Sequence, residues 1–153
     1  MKPDALFPVR RAGIDDIDTV TRLFDAYRVF YGRPTDPDTA RAFVHDRLQR
    51  ADSVIFLADR PDMAAVGFTQ LYPIFSSLST SRAFILNDLF VMPEARRQGV
   101  ANHLLAAAAA HARADGATQM TLSTAIDNMA AQRLYESRGW IREDAFYTYN
   151  LTL

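Results

Sequence analysis

At 153 residues the chain is long enough for one domain with a full hydrophobic core. Its 17 basic and 18 acidic residues leave a net charge of −1, which gives no electrostatic support to general nucleic-acid binding. The absence of cysteine excludes disulfides, thiolate nucleophiles and Cys-ligated zinc, and His45, His103 and His111 are too few to suggest a His-rich metal site.

Met1-Lys2 is not followed by an apolar run, and Leu104 to Ala110 is too short to span a bilayer, so a cytoplasmic location is the expectation. Phe7 to Arg11 reads as a short first strand. Asp15 and Asp16 stand at an expected helix start, where acids complement the dipole. Ile17, Val20, Leu23, Phe24 and Tyr27 then form one apolar stripe at helical spacing. Gly32 and Pro34 stop that helix. Tyr27, Phe30 and Tyr31 crowd its end, either filling the core or walling a substrate pocket. A second helix starts near Asp36 or Asp38, with Pro37 in its first turn.

Ser53 to Ala58 is a strand, Asp59 to Asp62 a turn, and Ala64 to Pro73 the hairpin partner. After a polar loop over Ser76 to Ser81 comes Phe84 to Val91, a third strand of an antiparallel meander. Pro93 ends its ladder, having no N–H to donate. The next helix runs from about Val100 to Ala114 and closes at Asp115-Gly116. Met120, Leu122 and Thr124 alternate as a strand. Asp127 or Asn128 caps a helix from Met129 to Arg138, Gly139 ends it, and Phe146 to Leu151 reads as a final strand. Strand–helix–strand order in this half implies some parallel pairing. No repeat, linker or second domain interrupts residues 1–153, which read as a single domain.

Chemistry concentrates in a few places. Arg96-Arg97-Gln98-Gly99-Val100-Ala101 places a glycine turn before a helix N-terminus, a natural anion nest beside two arginines. It lacks the lysine and Ser/Thr of a triphosphate P-loop and the three-glycine dinucleotide fingerprint. The plainer reading is an ordinary strand–helix connection. Asn87-Asp88 interrupts an apolar strand, where a carboxylate needs partners. It is either a structural acceptor of loop N–H groups or part of an amine-binding or base site. Asn128 and Tyr135 lie two turns apart on one helix. Either could be structural, as helix cap and core tyrosine.

Taken together, these motifs resemble the GNAT family of N-acetyltransferases. Arg96 to Ala101 matches the family pattern Arg/Gln-x-x-Gly-x-Gly/Ala, and Leu89-Phe90-Val91 matches the strand before it. Asp127-Asn128, Ala131, Leu134-Tyr135-Glu136 and Gly139-Trp140 match the second half of the cofactor site. The resemblance implies an α/β GNAT fold: a mixed, mostly antiparallel central sheet with a V-shaped splay and helices on both faces. It implies acetyl-CoA as cofactor, with backbone of Gln98, Gly99, Val100, Ala101 and Asn102 cradling the pyrophosphate and Arg96 and Arg97 adding charge. Phe90 and Val91 would dock the pantetheine arm like an added strand, and Asn128 would hydrogen-bond it. A bulge in the Phe84–Val91 strand would open the cleft.

The implied reaction is direct attack of a primary amine on the acetyl group through a tetrahedral intermediate. A backbone N–H near Phe90 or Val91 would stabilise the oxyanion. Tyr135 would protonate the leaving thiolate, Asp88 would serve as base and Asn87 would position a water. Tyr27, Tyr31, Tyr72 and Asp88 are the expected substrate contacts. Leu86 to Val91 and Phe68 to Pro73 also resemble the branch of polyamine and small histone or polyamine acetyltransferases, although that branch commonly has an acid where Asn87 stands. A small-molecule amine is the leading acceptor. A peptide lysine or N-terminus and a non-catalytic acyl-CoA-binding module are the alternatives. The resemblance and the apolar segment Phe146 to Leu153 imply a homodimer; no nucleic-acid or membrane partner is expected.

Overall fold

The computed structural model describes residues 7–153. The chain divides into two compact units, one running through Leu122 and one over Ser123–Leu153.

The first unit is built on a five-stranded sheet in the order β1 (Val9–Arg11), β2 (Val54–Arg60), β3 (Met63–Ser76), β4 (Ser81–Val91) and β5 (Ala117–Thr121). The first three pairings are antiparallel, whereas β4 and β5 run parallel. The parallel pair requires a crossover, which α3 (Val100–Ala114) supplies. Alternation along β2 separates two cores. Ile55 and Leu57 pack with Val20, Leu23, Phe24, Ala40 and Val44 of α1 (Ile17–Phe30) and α2 (Pro37–Arg50). Ala58 packs with Val100 and Leu104 of α3. Helices therefore cover both faces, as the resemblance implied.

Local chemistry explains the element boundaries. The Asp36 carboxylate accepts from the Thr39 N–H at 3.1 Å, and Pro37 fills the first position of α2. The start of α1 falls later than its acidic pair suggested. Ile14–Asp16 forms a single 3-10 turn, and the Asp16 carboxylate accepts from the Gly13 N–H and from Arg10. Those bonds, with Arg10 first, hold the Asp16 carboxyl below its ordinary pKa. β5 also begins and ends earlier than its alternation suggested. Its ladder with β4 stops at Ile85, so the chain leaves the sheet after Thr121.

Gly67 sets how closely α3 approaches the sheet. A Cβ there would lie 2.9 Å from the Phe90 carbonyl oxygen, 3.2 Å from Val100 and 3.3 Å from Leu104. The missing side chain thus fixes where the N-terminus of α3 sits relative to β4.

The second unit contains α4 (Met129–Ser137), capped by Asn128, whose side-chain oxygen accepts from the Ala131 N–H at 3.2 Å. Within this unit the expected strand over Phe146 to Leu151 makes no ladder. A strand satisfies its backbone only through a neighbour, and no ladder among the described residues includes this segment.

Candidate active site

Beyond Ile85, β4 parts from β5. Arg82 to Ile85 pair with Ala117 to Thr121, but among the described residues of this unit Leu86 to Val91 have no ladder partner on that side. On the other side β4 stays paired with β3, with one irregularity: Gln70 opposes Asp88 and Leu71 opposes Leu86, leaving Asn87 as the extra residue. This bulge lies where the splay begins. The exposed edge of Leu89, Phe90 and Val91 therefore offers backbone groups to an extended ligand.

The edge leads into the glycine loop. Pro93–Ala95 makes one 3-10 turn, Arg97 adopts a left-handed φ of +59°, and Gly99 follows at +86° as the residue capping α3. No side chain caps that helix start. The N–H groups of Val100 and Ala101 thus open toward an anion, favoured by the helix dipole. Nothing lies within 4 Å of where a Gly99 Cβ would project, so a phosphate can approach the backbone directly. Such a loop could hold an anion at its backbone, the role that the family resemblance implies for it.

The side chains of the loop do more local work than expected. Arg96 turns back over β4. Its Nε donates to the Val91 carbonyl at 2.9 Å, and its guanidinium lies 5.2 Å from the Phe30 ring centre and 5.7 Å from that of Phe90. Gln98 donates to the Glu94 carbonyl at 3.0 Å, stapling the loop. Arg97 is exposed.

On the acceptor side, Asp88 is only 2% exposed. One carboxylate oxygen accepts from Gln70 Nε2 at 2.5 Å, and the other accepts from Asn87 Nδ2 at 3.0 Å. Gln70 in turn accepts from the Ser53 hydroxyl at 2.8 Å. The Tyr27 phenol lies close enough to the Asp88 carboxylate for the two to influence each other's protonation. Burial raises the Asp88 pKa above the ordinary carboxylate range, and the contacts with Gln70, Tyr27 and Asn87 offset only part of this. The phenols respond in kind. Burial and the nearby Asp88 charge push Tyr27 well up and push Tyr72 up to about 12. Tyr27 sits among Phe24, Phe68, Phe90 and Tyr31, and Tyr31 meets it edge-on at 5.0 Å with an outer face open to solvent.

The first unit therefore gathers Asp88, Asn87, Tyr27 and Tyr72 around one carboxylate, with Tyr31 at the rim. Gln70 and Ser53 were not anticipated as site residues. Their one sequence signal is a pair of neutral polar side chains bordering apolar strand runs. Asn128 and Tyr135 belong to the second unit, where Asn128 caps α4 and Tyr135 lies partly buried beside Trp140, ring centres 6.2 Å apart. Among the described residues no group of three or more acidic or histidine side chains forms a metal site, and no helix is long and apolar enough to cross a membrane.

Residues 19–140 match the Acetyltransferase (GNAT) family. The chain is 42% identical over 145 residues to the uncharacterized N-acetyltransferase YhfO of Bacillus subtilis (strain 168), covering 95% of this chain and 97% of that protein. A crystal structure of a probable acetyltransferase superposes with a TM-score of 0.89 at 44% identity, covering 95% of this chain and 97% of the other. An aminoglycoside N(6')-acetyltransferase type 1 of Serratia marcescens is 28% identical over 120 residues, covering 76% and 82% of the two chains. The family match spans both the splayed strand and the glycine loop: the chain belongs to the GNAT family and is an acetyl-CoA-dependent N-acetyltransferase.

Proposed function

We propose that the acceptor is a primary amine on a small molecule bearing more than one positive charge. The observation that carries this reading is the buried carboxylate of Asp88, held by Gln70 and Asn87 at the foot of the splayed strand and walled by Tyr27 and Tyr72. A buried anion flanked by aromatic rings favours an ammonium group. The names of the aminoglycoside acetyltransferase relatives and the resemblance of Leu86–Val91 to the polyamine branch both point to multiply charged amines.

Acetyl-CoA supplies an activated acetyl thioester. In the proposed site the Gln98–Asn102 backbone holds its pyrophosphate, and the Phe90–Val91 edge binds the pantetheine arm. Asp88, with its raised pKa, accepts a proton from the arriving ammonium, directly or through a water held by Asn87. A backbone N–H at Phe90 or Val91 faces the developing oxyanion. Tyr135 is the proposed acid for the departing thiolate, supported by the match of its segment to the family pattern. The proposal includes a homodimer.

A panel of polyamines, aminoglycosides and lysine peptides, incubated with acetyl-CoA and followed by thiol release and product mass, tests this. Turnover confined to the small polycations is expected. Peptide acetylation is the second reading, favoured by the exposed Phe75 and Leu78 at the β3–β4 hairpin end, which could form one rim of an open groove. Preferential turnover of the peptides would replace the first reading with the second.

A further inference from the structure

We propose that Gln70, oriented by Ser53, is a positioning residue for the acetyl transfer: its amide aims the Asp88 carboxylate and holds it ready to accept a proton. The inference rests on the reading of Asp88 as the proton acceptor and deepens it.

The three side chains meet on one face of the sheet. Gln70 of β3 stands directly opposite Asp88 of β4, beside the bulge at Asn87. Directly opposed residues of an antiparallel pair share a face. On its other side Gln70 opposes Ile55 of β2, and Ser53 lies two residues before Ile55 in the chain. Ile55, Phe68 and Phe90 carry the core beneath α1 and α2, so the polar chain runs through an apolar layer. Gln70 is 1% exposed, and Ser53 is buried as well.

A buried amide must find its partners inside the protein. The Ser53 hydroxyl donates to Gln70 Oε1 at 2.8 Å, which leaves Nε2 to donate to Asp88 Oδ2 at 2.5 Å. A reversed amide would set its carbonyl oxygen against the carboxylate. Ser53 therefore selects the orientation that presents a donor. Asn87 holds the second carboxylate oxygen. The Thr69 hydroxyl donates to the Asp88 backbone carbonyl at 2.8 Å, fixing the strand from which the carboxylate projects.

The neutrality of this donor matters. A lysine or arginine in its place would stabilise the anion so strongly that Asp88 would lose its basicity, and a hydrocarbon would leave it protonated by burial. An amide supports the anion and still allows it to take the ammonium proton, leaving a neutral amine to attack. The titratable groups facing Asp88 are Tyr27 of α1 and Tyr72 of β3. Tyr31 acts on Tyr27, and Arg47 and Asp52 act on Tyr72. Both phenols are held above their ordinary range, so neither ionises where the carboxylate does.

Gln70→Met keeps the volume and removes the amide. The Asp88 carboxyl is followed by carbon NMR of aspartate-labelled protein across pH, its signal identified by loss in Asp88→Asn. Losing a donor to the charged form raises a carboxyl pKa. The Asp88 titration should therefore move up by about one to two pH units, and the acid limb of kcat/KM should move with it. Ser53→Ala should give a smaller shift in the same direction, whereas Ser53→Thr, which keeps the hydroxyl, should give none. Ser53→Ala, the milder change, carries the same test should Gln70→Met not fold. An unchanged Asp88 titration in folded Gln70→Met would overturn the proposal and leave the base role of Asp88 standing. Equal titrations in Ser53→Ala and Ser53→Thr would overturn the orienting role of Ser53. A titration that moves while the acid limb stays would remove Asp88 from the base role, and the proposal with it.

Discussion

The acceptor end of β4 and the segment after Leu122 are opposite ways of building a site. Around Asp88 every polar contact is internal and paired, beneath a core of Val20, Leu23, Leu57 and Phe68 that is closed to water. Within the unit after Leu122, α4 is capped by Asn128, and Tyr135 lies beside Trp140. The first region holds its chemistry ready before any ligand arrives. In the second, Tyr135 is placed by α4 and by Trp140 of its own unit. A buried carboxylate must be preorganised because its desolvation is costly.

The contrast can be broken first at Asp88. Asp88→Asn should lower turnover by roughly 10²–10⁴-fold, read in steady-state kinetics at saturating cofactor. The pH profile checks the same point. A base with a raised pKa is active only once deprotonated, so the acid limb of kcat/KM should lie above the ordinary carboxylate range and shift downward when burial is relieved. An acid limb at the usual carboxylate value would remove Asp88 from the base role. Tyr135→Phe comes next, with an expected loss in kcat of about 10–10²-fold and little change in acetyl-CoA affinity. Equal turnover of the two proteins would leave the thiolate to be protonated by solvent.

Stability should divide along the same line. Gly67→Ala forces the Phe90 carbonyl, Val100 and Leu104 apart, costing about 1–3 kcal/mol in denaturant unfolding and disturbing the cradle through α3. Asn128→Ala removes the α4 cap, at about 0.5–2 kcal/mol for that helix. Because α4 lies in the smaller unit, this loss should register as local hydrogen exchange before it moves the global midpoint. The smallest effect is expected for Arg97→Ala, an exposed side chain whose removal should weaken cofactor binding a few-fold, more at low salt than at high.

Much of this arrangement was legible in the residues. Gly99 and the Val100–Ala114 helix were readable because a turn glycine and an alanine-rich run are local signals. Asp88 stood out because a carboxylate inside an apolar strand demands an explanation. Gln70 and Ser53 did not stand out, because a neutral amide or hydroxyl in a strand is commonplace. Their meaning comes from the register that places Gln70 opposite Asp88, a long-range fact no local pattern carries. Arg96 was legible as charge but not as a partner of the Val91 carbonyl, which depends on the loop folding back. Over Phe146–Leu151 the alternation suggested a strand, whereas that segment makes no ladder within its own unit.

The parting of β4 from β5 has a thermodynamic consequence. From Leu86 to Val91 the sheet is one strand short, and on the proposed function the amides of the pantetheine arm make up the missing rungs. Cofactor recognition then becomes the last step of sheet formation rather than the filling of a finished pocket. Saturation with CoA should protect the β4 amides from hydrogen exchange. It should also raise unfolding free energy by about 2.7 kcal/mol at a hundredfold excess over Kd. Arg96, already bonded to the Val91 carbonyl in the free protein, stands in for one of those rungs, so part of the hydrogen bonding gained by the ligand replaces a bond the protein has lent to itself.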